Sequence, residues 1–199
     1  MADAPSPPEY RPRPVPSPAA ARRKLLLIGA MTLAPVVASY AIYYLSPRGA
    51  SVNYGTLLPT APAPALAGTR GDGAPFRLEE TRGRWVLLID VRGRCDEPCA
   101  RLLYASRQAR TMQGKEQDRI VRVLLLPEGA APDAALLAEH PGLVVAHVDP
   151  AARAGLPGAA DAIYLLDPLG NLVLRYDADP DIKGVSKDLT RLLKASGIG

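Results

Sequence analysis

The chain contains two cysteines, Cys95 and Cys99, which lie four residues apart. Two thiols at this spacing can form a disulfide, exchange disulfides with another protein, or bind one soft metal ion as thiolates. A disulfide between them closes too small a loop to stabilise a fold much, because the entropic benefit grows with loop length. The sequence therefore favours a functional pair over a purely structural disulfide.

A buried strand and the start of a helix are predicted to position the two cysteines. Residues 85–91 form an apolar run with β-branched and aromatic members, which is typical of a strand covered on both faces. Asp96 and Glu97 offer capping oxygens, and Pro98 suits a first helical turn because its missing N–H costs nothing there. We expect the helix to run over about 98–113.

The surroundings of the pair favour reactive thiols. Cys99 falls in the first helical turn, where the dipole and free N–H groups stabilise a thiolate. Arg92 and Arg94 add positive potential, which residues 96–97 oppose. In a regular helix, the Cβ atoms of residues i and i+4 lie about 5–6 Å apart, whereas a disulfide requires about 3.5–4.5 Å. A disulfide therefore needs unwinding at Cys95, while two thiolates that bridge one Cu(I) ion need less.

Two histidines are further candidates for metal ligands. His140 precedes Pro141 in a predicted surface turn, and His147 lies near the end of a predicted strand. A lone histidine is more often a surface or hydrogen-bonded core residue than a ligand. His147 is the better candidate, because the carboxyl ends of strands face the expected site. The sequence has no hydrolase triad order, phosphate-binding glycine loop or zinc-type Cys/His set.

Composition limits the remaining function classes. A chain of 199 residues with 48% hydrophobic and 22% charged residues allows one folded domain and additional segments. The net charge of +4 is modest, and the arginines are scattered instead of forming one basic stripe with interleaved aromatic residues. We therefore expect a solvated basic surface and no nucleic-acid binding.

Residues 25–45 contain no charged side chain and are long enough to cross a lipid bilayer. At 1.5 Å per residue, a helix of that length spans about 30 Å, the hydrocarbon thickness of a membrane. Tyr40, Tyr43 and Tyr44 lie at its end, where amphipathic rings favour the interface. Pro35 should kink the helix without breaking it. We predict one N-terminal transmembrane helix.

Basic residues set the expected orientation of this helix. Five precede it and one follows it within the next twenty residues, namely Arg11, Arg13, Arg22, Arg23 and Lys24 before it and Arg48 after it. The positive-inside rule then predicts a cytoplasmic N-terminus. In a bacterial-type inner membrane, this orientation places the C-terminal domain in the periplasm. The alternative is a cleaved signal peptide ending near Ala38, but the apolar run is longer than a typical signal and continues past that point.

Proline-rich composition marks two segments outside the folded domain. Residues 1–24 are predicted to be a disordered cytoplasmic tail, because prolines crowd a stretch with few large apolar side chains. Residues 46–65 carry four prolines and little hydrophobic pattern, which predicts a semi-extended linker. The folded domain is expected over 66–199 and should start with a hairpin-like turn at 68–76.

The rest of the domain alternates between strand and helix patterns. Further strands are predicted at 120–126, 143–148, 162–167 and 172–176, and further helices at 133–139 and 185–195. With the strand and helix around the cysteines, the order is β-α-β-α-β-β-β-α, which favours an α/β fold with a mixed sheet flanked by helices. Such sheets usually keep their chemistry at the carboxyl end of a central strand, where the two cysteines fall.

Four motifs together resemble those of a known family. They are Gly83-Arg-Trp-Val-Leu-Leu88, Cys95-x3-Cys99, the segment 163–173 with the sequence Ile-Tyr-Leu-Leu-Asp-Pro-Leu-Gly-Asn-Leu-Val, and Asp188-Leu-Thr-Arg-Leu-Leu193. The pattern resembles the Sco/SenC family, membrane-anchored thioredoxin-like proteins of cytochrome c oxidase assembly. The resemblance covers roughly residues 66–195, and it implies a thioredoxin-like fold after the transmembrane helix.

The resemblance also implies a metal site. In that family, the two cysteines bind copper together with a histidine placed shortly before the strand that here begins near Tyr164. Counting back places that position at or near Ala159, and residues 158–161 contain no histidine. Thioredoxin-type oxidoreductases place a proline just before the same strand, and Asp161 stands near its site here. This chain departs from both patterns.

Three functions follow as hypotheses. The first is an assembly factor in which Cys95 and Cys99 pass copper, as Cu(I), or electrons to a cytochrome c oxidase subunit or its assembly factors. The second is a copper-free thiol-disulfide oxidoreductase that uses one cysteine as nucleophile and the other to resolve the mixed disulfide. The third is a non-enzymatic relative that binds an assembly partner.

Overall fold

A computed structural model of the chain describes residues 18–45, 52–158 and 161–197. The chain divides into two compact units, residues 1–50 and 51–199. The only described element of the first unit is a helix, and the second unit is built on one sheet.

Helix α1, Pro18–Leu45, contains the predicted transmembrane segment. Its mean hydropathy reaches 2.0, so it is long and apolar enough to cross a membrane. Pro35 lies inside it. Residues 18–24 belong to this helix and not to a disordered tail, since Pro18 suits the first helical position and alanines favour helix. The rest of the predicted tail, 1–17, lies outside the described residues.

Among residues 52–158 and 161–197, eight strands form one mixed sheet. They are β1 Thr56–Pro62, β2 Ala67–Arg70, β3 Pro75–Arg77, β4 Trp85–Asp90, β5 Ile120–Leu126, β6 Leu143–Val148, β7 Ala162–Leu166 and β8 Asn171–Tyr176. Their order across the sheet is β1-β8-β7-β4-β5-β6-β2-β3. The pairs β4–β5 and β5–β6 are parallel, and the other pairs are antiparallel. The predicted mixed sheet is confirmed.

Within the described part of the second unit, four helices accompany the sheet. They are α2 Glu97–Thr111, α3 Ala134–Ala138, α4 Pro150–Arg153 and α5 Ile182–Ala195, with short 3₁₀ segments at Leu78–Thr81 and Gly114–Arg119. The predicted helices are confirmed with shifts at their ends. The largest shift is at α5, which begins at Ile182 because the carboxylate of Asp181 accepts hydrogen bonds from the backbone N–H groups of the first turn.

Strand β4 lies at the centre of the sheet and is buried along its whole length. Leu87 and Ile89 pack on one face in a cluster that includes α2 and α5, and Val86 and Leu88 pack on the other face in a second cluster. Side chains alternate between the two faces of a strand, so apolar cover on both faces requires the unbroken apolar run seen in the sequence. The central strand therefore holds the following loop, with Cys95, on a rigid base.

The linker predicted over 46–65 needs correction. Thr56–Pro62 is the edge strand β1, which pairs antiparallel with β8, and Leu66 is already in the core. The folded unit thus begins well before residue 66. Prolines at 59 and 62 concealed the strand, and an edge strand tolerates them because one side of it donates no sheet hydrogen bonds. Residues 46–51 of the predicted linker lie outside the described residues.

Candidate functional site

Cys95 and Cys99 lie where the central strand gives way to a helix, and they form a disulfide. Cys95 is in the loop between β4 and α2, and Cys99 is in the first turn of α2. Their Cα atoms are 5.0 Å apart. Because Cys95 precedes the helix, the backbone is free of the i to i+4 helical geometry that would hold the two sulfurs apart. The predicted strand-to-helix junction is confirmed.

The start of α2 differs in one detail from the predicted cap. Asp96 is the N-cap residue, but its carboxylate accepts no hydrogen bond from the first turn. Pro98 explains this, since a proline in the first turn removes one of the N–H groups that a capping carboxylate binds. The carboxylate of Glu97 instead pairs with Arg101 at 3.0 Å on the exposed helix surface.

The two cysteines differ in their exposure to solvent. Cys99 is fully buried in the cluster formed with α2 and α5, whereas Cys95 is half-buried and lines a groove. The groove has a volume of about 570 Å³ and lies between residues 93–95 and 127–131. An attacking thiolate must approach one sulfur along the disulfide axis, so access decides which sulfur is attacked. The groove makes Cys95 the accessible end of the disulfide.

A buried charge network lies at the end of β4, next to the disulfide loop. The carboxylate of Asp90 is fully buried and binds two guanidinium groups, Arg153 at 3.0 Å and Arg92 at 2.9 Å. Arg153 is also buried, and its Nη1 donates to the carbonyl oxygen of Val91 at 2.9 Å. A buried carboxylate with two charged donors is held in a fixed position. The network therefore fixes the backbone just before the disulfide loop.

Arg92 extends this network to the loop that precedes β7. Its Nη2 donates to the carbonyl oxygen of Gly158 at 3.0 Å, and its backbone N–H donates to the carboxylate of Asp161 at 2.8 Å. Asp161, which the sequence comparison placed near the site of the proline in thioredoxin-type oxidoreductases, thus acts as a hydrogen-bond acceptor. The position expected for a third copper ligand, at or near Ala159, lies outside the described residues.

The two histidines lie at opposite ends of strand β6. His147 is near the carboxyl end of β6, as predicted, and its Nδ1 lies 3.3 Å from the carbonyl oxygen of Pro127, a residue that lines the groove. His140 precedes β6 and therefore lies near the other end of this strand. It lies in a turn, as predicted, but it is only 3% exposed, so its predicted position on the surface is wrong. Its Nδ1 is 3.4 Å from Nη1 of Arg122.

The pKa of His140 is shifted in a direction that keeps the ring neutral. Burial lowers this pKa from its usual value, and the charges of Arg107 and Arg122 lower it further. Burial also lowers the pKa of Arg122, to about 10, with added repulsion from Arg110 and Arg107. Arg122 therefore stays charged at neutral pH, and His140 accepts from it as a neutral ring.

The described residues, 18–45, 52–158 and 161–197, contain no group of three or more His, Cys, Asp or Glu side chains that could hold a metal ion. In the disulfide state the two sulfurs lack the negative charge that a thiolate ligand needs. After reduction, Cys95 and Cys99 supply two soft ligands, which suit Cu(I). The two cysteines could therefore hold copper as Cu(I), and they could do so only after the disulfide between them is reduced.

Comparison with known proteins supports the fold. A family model described as a transmembrane-like, thioredoxin-like C-terminal domain matches residues 85–196. No curated protein matches the sequence.

Solved structures of two kinds are similar to the chain. Sco1 of Thermus thermophilus, in its apo form, is 25% identical with a TM-score of 0.54, and the match covers 74% of this chain and 99% of that one. ScoI of Bradyrhizobium japonicum with copper bound is 19% identical with a TM-score of 0.52, covering 66% and 99%. A putative thiol:disulfide interchange protein from Chlorobium tepidum is 20% identical with a TM-score of 0.52, covering 71% and 100%. The thioredoxin-like fold and the resemblance to Sco proteins are both supported.

Proposed function

This chain belongs to the family of transmembrane-like, thioredoxin-like C-terminal domains, and on that premise we propose that it is a membrane-anchored thiol-disulfide redox protein of the Sco type. The observation that carries the proposal is the disulfide between Cys95 and Cys99 after the carboxyl end of β4, in which Cys95 is half-buried and lines the groove while Cys99 is buried. This arrangement suits a two-step disulfide exchange, because the rate of each step depends on access to the sulfur that is attacked.

The reaction proceeds through Cys95. A thiolate of a partner protein attacks Sγ of Cys95, a mixed disulfide forms, and Cys99 leaves as a thiolate. A second thiol of the partner then attacks the mixed disulfide and releases Cys95. The partner loses two electrons and two protons and becomes a disulfide, and the chain gains them as two thiols. The same steps run in reverse when the reduced chain opens a disulfide of its partner.

Single-cysteine variants of the full chain test this assignment. Cys99→Ser leaves the thiol at the groove, and Cys95→Ser leaves the buried one, so we expect Ellman's reagent to react at least about tenfold faster with Cys99→Ser. The double variant is the matched control and should not react. Equal rates, or a faster Cys95→Ser variant, would contradict the proposal that Cys95 is the attacked sulfur.

Cu(I) binding is a second candidate function. Its support is the 5.0 Å separation of the two Cα atoms, which lets both thiolates reach one ion, together with the likeness to a Sco structure that has copper bound. Cu(II) prefers nitrogen and oxygen donors in tetragonal sites, so a pair of thiolates without a histidine should favour Cu(I). The reduced Cys95 and Cys99 would then hold copper as cargo.

Competition against a chromogenic Cu(I) chelator under argon measures this binding. The reduced full chain should retain one Cu(I), and the Cys95→Ser, Cys99→Ser double variant should retain none, because a hydroxyl is neither soft nor ionised at neutral pH. His140→Ala should have no effect. A loss in His147→Ala would identify that ring as an additional ligand. If the reduced wild type retains no copper, the copper-free redox function remains.

The proposed partner is a cytochrome c oxidase subunit or one of its assembly factors, and the proposed location is the bacterial inner membrane with the domain in the periplasm. The Sco resemblance supports the partner, and the basic residues before α1 support the orientation. A reporter that is active only outside the cytoplasm should be active when fused after Pro64. Oxidase assembly that is restored equally by the double cysteine variant would favour a non-enzymatic, partner-binding role.

A further inference from the structure

The exposed face of α5 carries only positive charge. Lys183, Lys187 and Lys194 are exposed, and the side chain of Arg191 is 38% exposed. At 100° per residue these four positions fall within an arc of about 80°. The one acidic residue inside α5, Asp188, is only 1% exposed and accepts hydrogen bonds from the backbone N–H groups of Tyr54 and Gly55. We call the four cations the basic face of α5.

Lysine is concentrated at this place in the molecule. The unit 51–199 contains four lysines in its sequence, and three of them are on α5. The fourth, Lys115, lines the same hollow of about 410 Å³ as Lys194, and exposed Met112 and core residue Leu193 line its apolar part. Glu116 also lines the hollow, but its charge pairs with Arg119 at 2.8 Å. Exposed cations around an apolar hollow suit the interfacial zone of a lipid bilayer.

The start of the folded unit is fixed beside this face. The hydroxyl of Tyr54 accepts from the backbone N–H of Asp181 at 2.7 Å, and the Tyr54 ring lies against Gly184. Nη1 of Arg191 donates to the carbonyl oxygen of Val52 and to Oδ1 of Asn53. The chain therefore enters the folded unit next to the basic face of α5.

Chain length limits how far this face can lie from the membrane. Six residues, 46–51, separate the end of α1 at Leu45 from Val52. Whatever path they take, seven residue steps reach at most about 25 Å. Amphipathic rings favour the membrane interface, so Tyr40, Tyr43 and Tyr44 place this end of α1 at the headgroup level of the leaflet nearer to the domain. Val52, beside the basic face, is thus held within about 25 Å of the headgroups.

We propose that the basic face of α5 binds the anionic headgroups of the bilayer that α1 spans. The charges are complementary, and the short connection keeps the effective concentration of lipid high. A lysine near an anionic surface changes a binding equilibrium by about fivefold, so three exposed lysines should together contribute about a hundredfold. The interaction is electrostatic and should weaken as salt rises.

Energy transfer from the single tryptophan to the membrane tests this proposal in the full chain. Trp85 packs in the same core cluster as Leu189 and Leu193 of α5, so its distance to the bilayer follows that of the basic face. The chain is reconstituted in vesicles that contain a dansyl-headgroup lipid, either in phosphatidylcholine alone or with added phosphatidylglycerol. We expect more transfer in the anionic vesicles, and we expect high salt to remove the difference.

Two triple variants make the test specific. The first variant removes the three lysines of the basic face through Lys183→Gln, Lys187→Gln and Lys194→Gln. It should reduce energy transfer in anionic vesicles to the level seen in phosphatidylcholine. The matched control removes the same amount of charge from exposed positions elsewhere, through Arg77→Gln, Arg82→Gln and Arg84→Gln. It should still show more transfer in the anionic vesicles than in phosphatidylcholine. If wild-type transfer is equal in both vesicles, or if the lysine variant behaves like the wild type, the proposal is wrong. An acidic protein partner would then be the better candidate for this face.

Discussion

At the scale of single residues, Asp90 is a buried charge with two charged partners next to the disulfide loop. Its carboxylate is fully buried and pairs with Arg153, whose side chain is 2% exposed, and with Arg92, whose side chain is 30% exposed. Removing one partner of a buried pair leaves the other charge without compensation. Removing Asp90 should therefore cost more than removing Arg92. The loss of Asp90 leaves the buried charge of Arg153 without its carboxylate, whereas the loss of Arg92 leaves Asp90 still paired with Arg153.

We predict that Asp90→Ala destabilises the folded domain by about 3–5 kcal/mol. Arg92→Ala removes a partly exposed partner and should cost no more than about 1 kcal/mol. Urea unfolding of the full chain, followed by Trp85 fluorescence, measures both. Similar losses in the two variants would contradict the description of Asp90 and Arg153 as the buried centre of the network.

A second prediction at this scale concerns His140. Its pKa in the folded state is lowered by burial and by Arg107 and Arg122, so the unfolded chain takes up a proton that the folded chain does not. The free energy of unfolding should therefore fall as the pH drops below the unfolded value of about 6.5. Above that pH both states are neutral, and His140 contributes no pH dependence.

The His140→Gln variant should lack this slope. Unfolding free energies measured in steps from about pH 7.5 to about 5.5 check the prediction in the wild type and the variant. Identical slopes would show that His140 is protonated to the same extent in both states, in contradiction to its buried contact with Arg122 at 3.4 Å.

The residues of the candidate site were only partly predictable from the sequence. Cys95 and Cys99 were identified because cysteine is rare in this chain and its spacing carries chemistry. Asp90 and Arg153 were not identified, because they are 63 residues apart and only the fold brings them together. Their one signal is an acidic residue at the end of an apolar strand. His140 was misplaced on the surface, because a histidine before proline gives no sign of a buried arginine partner.

At the scale of elements, the contact between Tyr54 and α5 leaves no room for a side chain at Gly184. A Cβ atom at Gly184 would lie 2.4 Å from Cγ of Tyr54, so alanine at this position must displace the ring. Elsewhere in a helix, replacing glycine by alanine stabilises by about 1 kcal/mol. Here the overlap should outweigh that gain, and we predict that Gly184→Ala destabilises the domain by about 1–2 kcal/mol.

A double-mutant cycle separates the two effects. In a Tyr54→Ala background the ring is absent, so Gly184→Ala should become stabilising by about 0.5–1 kcal/mol. The measurement is the same urea unfolding with Trp85 as the fluorescent group. If the sign of the Gly184→Ala effect is the same in both backgrounds, Tyr54 does not pack on α5 as described.

Elements in the middle of the domain were easier to predict than those at its start. Strands β4 and β5 are apolar runs buried on both faces, and such runs are readily recognised in a sequence as buried strands. Strand β1 is an edge strand with prolines and mostly exposed side chains, so neither hydrophobic alternation nor propensity marks it. Its place in the sheet depends on pairing with β8, more than a hundred residues away, and that pairing is a tertiary effect.

At the scale of the whole molecule, the chain combines an apolar helix with a thioredoxin-like unit. The order of strands and helices predicted an α/β fold with a mixed sheet, because parallel and antiparallel connections leave different patterns in the sequence. The sequence did not predict that the sheet extends to eight strands through β1. We propose that the disulfide is a redox centre and that its reduction leaves the fold of the domain unchanged.

A redox titration of the folded full chain tests directly whether the disulfide is a redox centre. The protein is equilibrated with mixtures of reduced and oxidised dithiothreitol, and its free thiols are alkylated and counted by mass spectrometry. We predict one two-electron transition in which Cys95 and Cys99 become reactive together, while the far-UV circular dichroism stays unchanged. If the two thiols appear only in denaturant, or if their reduction unfolds the domain, the disulfide is structural and the proposed function is wrong.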